Sequence, residues 1–376
     1  MRRIACIALV IIGGCSAPMQ DARTNSQVGT IIATGDTSQP RSDHTATLLP
    51  NGKVLITGGM AQNGAFAATA ELYDPSIRQF TSAGHMNWKR AWGSTAVPLA
   101  NGKVLIAGGS SAPQCGTACD YLRSAEIYGP DSGSFTPTGD MVEGRAVLVS
   151  ARLRNGDVLV VGGSDPSGPA PVATAELYHP SSGSFSLTGS MRVSRGVLAA
   201  VTLKSGNVLV IGQNNTNGVI EQATAEVYDP ATGTFSATGK MRVPRTKLGA
   251  ALMADGRVLV IGGQIGGPRG ERLSSSEIYD PAVGTFSTGP EMNFKRFKLP
   301  RAVVALSNGR ILIAGGAEQP EVFDPATGAF TIVGGAKLDT YSFSTATALA
   351  NGEVLIVGGY GRPQDDAVNH AWIYRP

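Results

Sequence analysis

A nine-residue phrase recurs seven times along the 376-residue chain: a polar residue and a glycine, five residues of which most are aliphatic, then two glycines, the second replaced by Gln213 in the fourth copy. It reads NGKVLITGG from Asn51, NGKVLIAGG from Asn101, NGDVLVVGG from Asn155, SGNVLVIGQ from Ser205, DGRVLVIGG from Asp255, NGRILIAGG from Asn308 and NGEVLIVGG from Asn351. Successive turn glycines lie 50, 54, 50, 50, 53 and 43 residues apart. That period belongs to an array of similar units, each too small to bury a core alone, and not to separate domains.

Each phrase follows a short apolar run, and Asn-Gly or Asp-Gly between two such runs favours a two-residue hairpin in which both turn positions take positive φ. A second phrase supplies a third strand: AELYDP from Ala70, AEIYGP from Ala125, AELYHP from Ala175, AEVYDP from Ala225, SEIYDP from Ser276, PEVFDP from Pro320 and AWIYRP from Ala371. Proline and glycine then set a tight turn, as in Asp229 to Gly233. A fourth strand opens on Phe80, Phe135, Phe185, Phe235, Phe286 or Phe330. Four antiparallel strands in about 50 residues are one blade of a β-propeller, and a closed ring removes exposed sheet edges.

The seventh unit stops at its third strand, and its fourth is expected from the N-terminus, where Ile31-Ile32-Ala33-Thr34-Gly35 repeats the fourth-strand phrase with Ile in place of Phe. The chain therefore resembles the kelch-repeat β-propellers of the bacterial galactose-oxidase-like type, on the paired glycines, the Glu-x-Tyr-Asp-Pro phrase and the aromatic opening of strand four. The expected fold is all-β, a seven-bladed kelch-type propeller over residues 28–376 closed by the N-terminal strand on the last blade. Such a fold hosts binding modules, oxidases and epimerases alike, so it does not by itself name an activity.

Residues 1–15 carry two arginines, an apolar stretch and Gly13-Gly14-Cys15, the pattern of a secretory leader too short to span a membrane. The small residues before Cys15 resemble a bacterial lipobox, which implies lipidation of Cys15 and a polar tether over residues 16–27; cleavage without lipidation is the alternative. The expected location is the cell envelope, lipid-anchored at the outer membrane or in the periplasm, with membrane contact only through Cys15. Without Arg2 and Arg3 the chain has 29 basic and 28 acidic residues, so bulk attraction to nucleic acid is not expected. Cys115 and Cys119 sit in one long loop, and in an oxidising compartment they favour a local disulfide over a metal site.

The approach to strand one repeats Met-x-x-x-Arg, giving Arg90, Arg145, Arg195, Arg245 and Arg296, with Arg41 equivalent in unit one. Strand three carries Glu71, Glu126, Glu176, Glu226, Glu277 and Glu321 in the same six units. One reading is a six-arginine mouth for an anion, the other a set of internal ion pairs. Unit seven loses both charges together, to Tyr341 and Trp372, which favours the ion pairs. Departures from the repeat are the better ligand candidates: Trp88, Lys89 and Trp92 in unit two, Phe294, Lys295 and Phe297 in unit six, and Tyr341, Tyr360, Arg362 and His370 in unit seven. Aromatic faces beside charges suit carbohydrate or an extended peptide; packing of these rings against neighbouring blades is the alternative.

The four histidines fall in different units, and no metal-ligand spacing or nucleophile motif is present. Galactose-oxidase relatives use copper, a cysteine-linked tyrosine and a histidine from a further domain. No counterpart is read here, so neither a metal nor another cofactor is expected. The leading expectation is a monomeric, non-catalytic propeller presenting loops to a protein or glycan partner. The alternative is a sugar-active enzyme of the sialate epimerase or mutarotase kind, before an oxidase.

Overall fold

A computed structural model describes residues 28–113, 120–164, 171–196, 199–212, 214–216, 219–221, 223–266, 270–338, 342–361 and 366–376. Among them there is no helix, and the strands form seven radial sheets and two small two-stranded ones in loops. Blade one runs outward through Thr45–Leu48, Val54–Thr57, Thr69–Asp74 and Gln79–His85, all antiparallel. Five further blades repeat that order. The innermost strands, from Thr45–Leu48 round to Thr345–Ala348, each lie beside the next, and the last lies beside the first. The chain is thus a closed seven-bladed propeller. In blade seven, Thr30–Ala33 lies antiparallel to Ala371–Arg375, with Ile31 opposite Tyr374, and so stands where other blades have strand four.

Second strands carry no alternation because both of their faces are covered. Val54–Thr57, Val104–Ala107 and Val158–Val161 are buried at every position, as expected for strands sandwiched between neighbouring sheets. The cores therefore lie between blades: Leu55 and Ala70 of blade one pack with Val104, Ile106 and Tyr128 of blade two. The paired glycines make the close approach possible. A Cβ on Gly58 would stand 2.4 Å from the Arg90 carbonyl of the next blade, and the Gly59 amide donates to that same carbonyl at 2.8 Å.

Fourth strands tie each blade to the next. The hydroxyls of Thr138, Thr188 and Thr238 meet those of Tyr178, Tyr228 and Tyr279 at 3.0, 2.9 and 2.8 Å. Thr34 of the N-terminal strand does the same to Tyr73 at 2.8 Å. At the position that would serve Tyr128, blade one has Ala83, and the buried Tyr128 hydroxyl has no partner among the described residues. At the step from blade five to blade six the equivalent positions are Gly289 and Phe323, so both hydroxyls are absent together. A buried hydroxyl without a partner costs about 1–3 kcal/mol, and a paired one contributes about 1. Tyr128→Phe should therefore leave stability unchanged or raise it, whereas Tyr178→Phe should lower it by about 1 kcal/mol, as read by urea denaturation. Equal losses at the two positions would refute this account of the contact.

Candidate functional site

The six arginine and glutamate pairs are buried, with shortest N to O distances of 2.7, 3.0, 2.9, 3.1, 3.0 and 2.9 Å around the ring. In blade two Arg90 Nε donates to Glu126 Oε1 at 3.0 Å, and Nη1 donates to the carbonyls of Gly108 and Ser124, each at 2.9 Å. Glu126 Oε2 accepts the Asn87 amide at 2.8 Å. Each pair thus clamps the loop before strand one to strands two and three of the same blade. The guanidinium groups face the interior of their blades, so they do not form an anion-binding mouth. In blade seven Trp372 takes the glutamate's place opposite Ile356 and is buried. Tyr341 lies outside the described residues, as do Arg362, Cys15 and the Cys115 and Cys119 pair.

Two residues beyond five of the arginines, and at the equivalent place in blade seven, the backbone is left-handed although the residue is not glycine. Asp43, Trp92, Val147, Lys247, Lys298 and Phe343 have φ between 53 and 61°. L-residues avoid this region, β-branched ones most of all, and each instance costs on the order of 1–3 kcal/mol. Hydrogen bonds hold them there. The Asp43 amide donates to Phe343 O at 3.1 Å, Phe343 N to Lys298 O at 3.3 Å and Val147 N to Trp92 O at 2.8 Å. Leu299 N donates to Lys247 O at 3.2 Å. The result is a collar of varied side chains on a uniform backbone, at the inner end of the loop before strand one in the six blades where that position is described.

The collar surrounds an axial cavity of about 570 Å³ to which all seven blades contribute. Blades three to five give it an aliphatic wall of Val147, Leu148, Val149, Ala199, Ala200 and Ala250. Trp92, Phe343 and Tyr360 supply aromatic faces, and Thr95 and Ser150, whose hydroxyls bond to each other, lie between. Blade six adds Arg301 from a loop two residues longer than in most blades. Arg301 reaches past blade seven: Nη1 donates to Asp43 Oδ1 at 3.2 Å and to His44 O at 3.0 Å, and Nη2 donates to Ser94 O.

Burial raises the Asp43 pKa, against the opposing pull of Arg301, the Gly93 and Trp92 amides and Lys247. Burial lowers the Lys247 pKa, with Asp43 opposing. His44 is fully buried beside Thr345, and burial, helped by Arg41 and Arg301, holds its pKa well below 6.5, so it is neutral.

Of the candidate ligand residues, the fold brings Trp92 and Tyr360 to the axial cavity, and Lys298 donates to the Tyr360 hydroxyl. Trp88 and Phe294 lie instead over the guanidinium groups of their own blades, with Arg90 and Arg296 at 5.4 and 5.5 Å from the ring centres. Phe297 is buried beneath Arg272 at 4.0 Å. Lys89 is exposed, Lys295 pairs with Glu271 at 2.7 Å, and exposed His370 contacts Trp372 edge-on at 6.0 Å. Asp43, Val147, Lys247, Phe343 and Arg301 were not among the sequence candidates. Their signal was present as a variable position at a fixed offset from an arginine repeated in six units, and as one lengthened loop.

Residues 245–293 match the Kelch motif family, and no curated protein matches the chain. Among solved structures, a fungal alcohol oxidase of the AA5 family, in complex with copper, is similar with a TM-score of 0.73 over 93% of this chain and 76% of its own, at 18% identity. At that identity the likeness is one of fold. The described residues do not fit its metal: they contain no group of three or more His, Cys, Asp or Glu placed to hold an ion. The single acidic side chain of the axial cavity is already bound by Arg301, beside a lysine that repels cations.

Proposed function

We propose that this protein is a binding propeller whose ligand site is the axial cavity, where the end of a protein or glycan partner lying on the loop face is received. The observation that carries this is the collar: varied side chains held in a costly conformation at one repeat position, around a common cavity. Strain concentrated on one ring of residues, five of the six lining the cavity, points to use of those residues. The outer aromatic residues support a different account, as covers over the buried ion pairs.

The test is binding of purified protein to glycan and peptide arrays. Trp92→Ala with Phe343→Ala should reduce the captured signal by about tenfold or more, since truncating central aromatic anchors typically costs 2 kcal/mol or more. Trp88→Ala with Phe294→Ala should leave it near wild type. The opposite ranking would move the site to the outer loops.

The opposed displacement of Asp43 and Lys247 favours one second reading, a sugar-active enzyme in which a positioned acid and base transfer protons. Anomer exchange followed by NMR separates the two, because a binding protein leaves the exchange rate of a bound sugar unaccelerated.

A further inference from the structure

We propose that the group received by the axial cavity is a carboxylate carried on an apolar body. This rests on the axial cavity being the ligand site, and it deepens that reading by naming the ligand's chemistry.

The charge comes from what the cavity leaves uncompensated. Asp43 accepts from Arg301 at 3.2 Å and from the Gly93 amide at 3.0 Å, so these two charges answer each other. Lys247 feels the Asp43 charge without contacting it, and Asp43 is already shared with Arg301, so the three charged groups leave one positive charge over. The Lys247 side chain is half-buried at the cavity wall and has no hydrogen-bond or ion-pair partner among the described residues. A partly desolvated ammonium is costly unless an anion meets it. Lys247 also sits on the strained collar, at φ 53°, which fixes where its side chain leaves the backbone.

The body follows from the wall that adjoins Lys247. Val147, Leu148, Ala199, Ala200 and Ala250 offer no side-chain donor or acceptor. The nearby hydroxyls of Thr95 and Ser150 are bonded to each other. A sugar ring placed there would bury hydroxyls without partners, which is unfavourable, whereas an aromatic or aliphatic body exchanges water for apolar contact. The volume of about 570 Å³ suits a body of one or two rings. Two sources share this chemistry, a free organic acid and the C-terminus of a polypeptide that ends in an apolar residue.

Isothermal titration of the purified protein tests the proposal with 4-phenylbutanoate, its neutral amide, glucuronate, and the peptide Gly-Gly-Phe with a free or an amidated C-terminus. The acid should bind about tenfold or more tighter than its amide, the effect of one hydrogen bond to a charged group. Lys247→Met should reduce that ratio to near one, and Lys247→Arg should keep most of it. Binding of Gly-Gly-Phe that is lost on amidation identifies a polypeptide end as the source; binding of the small acid alone identifies a free acid. Equal binding of acid and amide, tighter binding of glucuronate than of phenylbutanoate, or no binding of any acid would overturn the proposal. If no acid binds but Trp92→Ala with Phe343→Ala still abolishes array capture, the site stands and only the carboxylate class falls. If array capture ignores both substitutions, the site itself is refuted.

Discussion

Arg90→Ala is expected to cost about 3–5 kcal/mol, the usual consequence of stranding one member of a buried ion pair. Arg90 and Glu126 are both 0% exposed in their side chains, so water cannot take the place of the missing partner. The loss extends beyond the pair. The carbonyls of Gly108 and Ser124 and the Ser124 hydroxyl all accept from this guanidinium and would be left buried. Arg90→Met with Glu126→Met should recover part of the deficit, because the uncompensated charge disappears, although the Asn87 amide then loses its acceptor. Chemical denaturation of the three variants reads this directly. An Arg90→Ala protein as stable as wild type that had lost ligand would instead return the arginines to a binding role.

Deleting residues 28–36 should be comparably severe. The segment buries Val28 and Ile31 in the core of the last blade, each contributing about 1.5–3 kcal/mol. It also gives Ala371–Arg375 its outer neighbour, accepts the Tyr374 hydroxyl at Val28 O at 2.5 Å, and places Thr34 against Tyr73 of blade one. Without it, a third strand becomes an edge with unpaired backbone groups, a surface prone to pairing with other chains. The expected result is a loss of several kcal/mol together with concentration-dependent association, measured by thermal melting and light scattering. An unchanged midpoint would mean that the ring holds without this strand.

The scaffold was readable in the sequence because it repeats. Asn-Gly turns, paired glycines and Glu-x-Tyr phrases each answer one local demand, and seven copies make those demands visible. The ion pairs could be read because arginine and glutamate disappear together in unit seven, where Trp372 fills the space. The axial site was obscured for the same reason that the frame was clear. Asp43, Trp92, Val147, Lys247, Lys298 and Phe343 share a position and a conformation but no common residue type, so no residue pattern marks them. Loops with several aromatic residues stand out in the sequence instead, and of their described candidate residues only Trp92 and Tyr360 reach the cavity. Trp88 and Phe294 resemble ligand platforms in sequence, and only three-dimensional placement shows that they cover guanidinium groups.

In the collar, the main chain is tied to neighbouring blades while the side chains of Asp43, Trp92, Val147, Lys247 and Phe343 line the axial cavity. Except at Asp43, whose carboxylate is paired with Arg301, one substitution there alters the cavity without disturbing a strand or one of the six arginine and glutamate pairs. Selection could therefore try ligands one blade at a time, and blade duplication would copy the support without copying the specificity. A library randomised only at these positions would search binding chemistry on a frame that stays folded throughout.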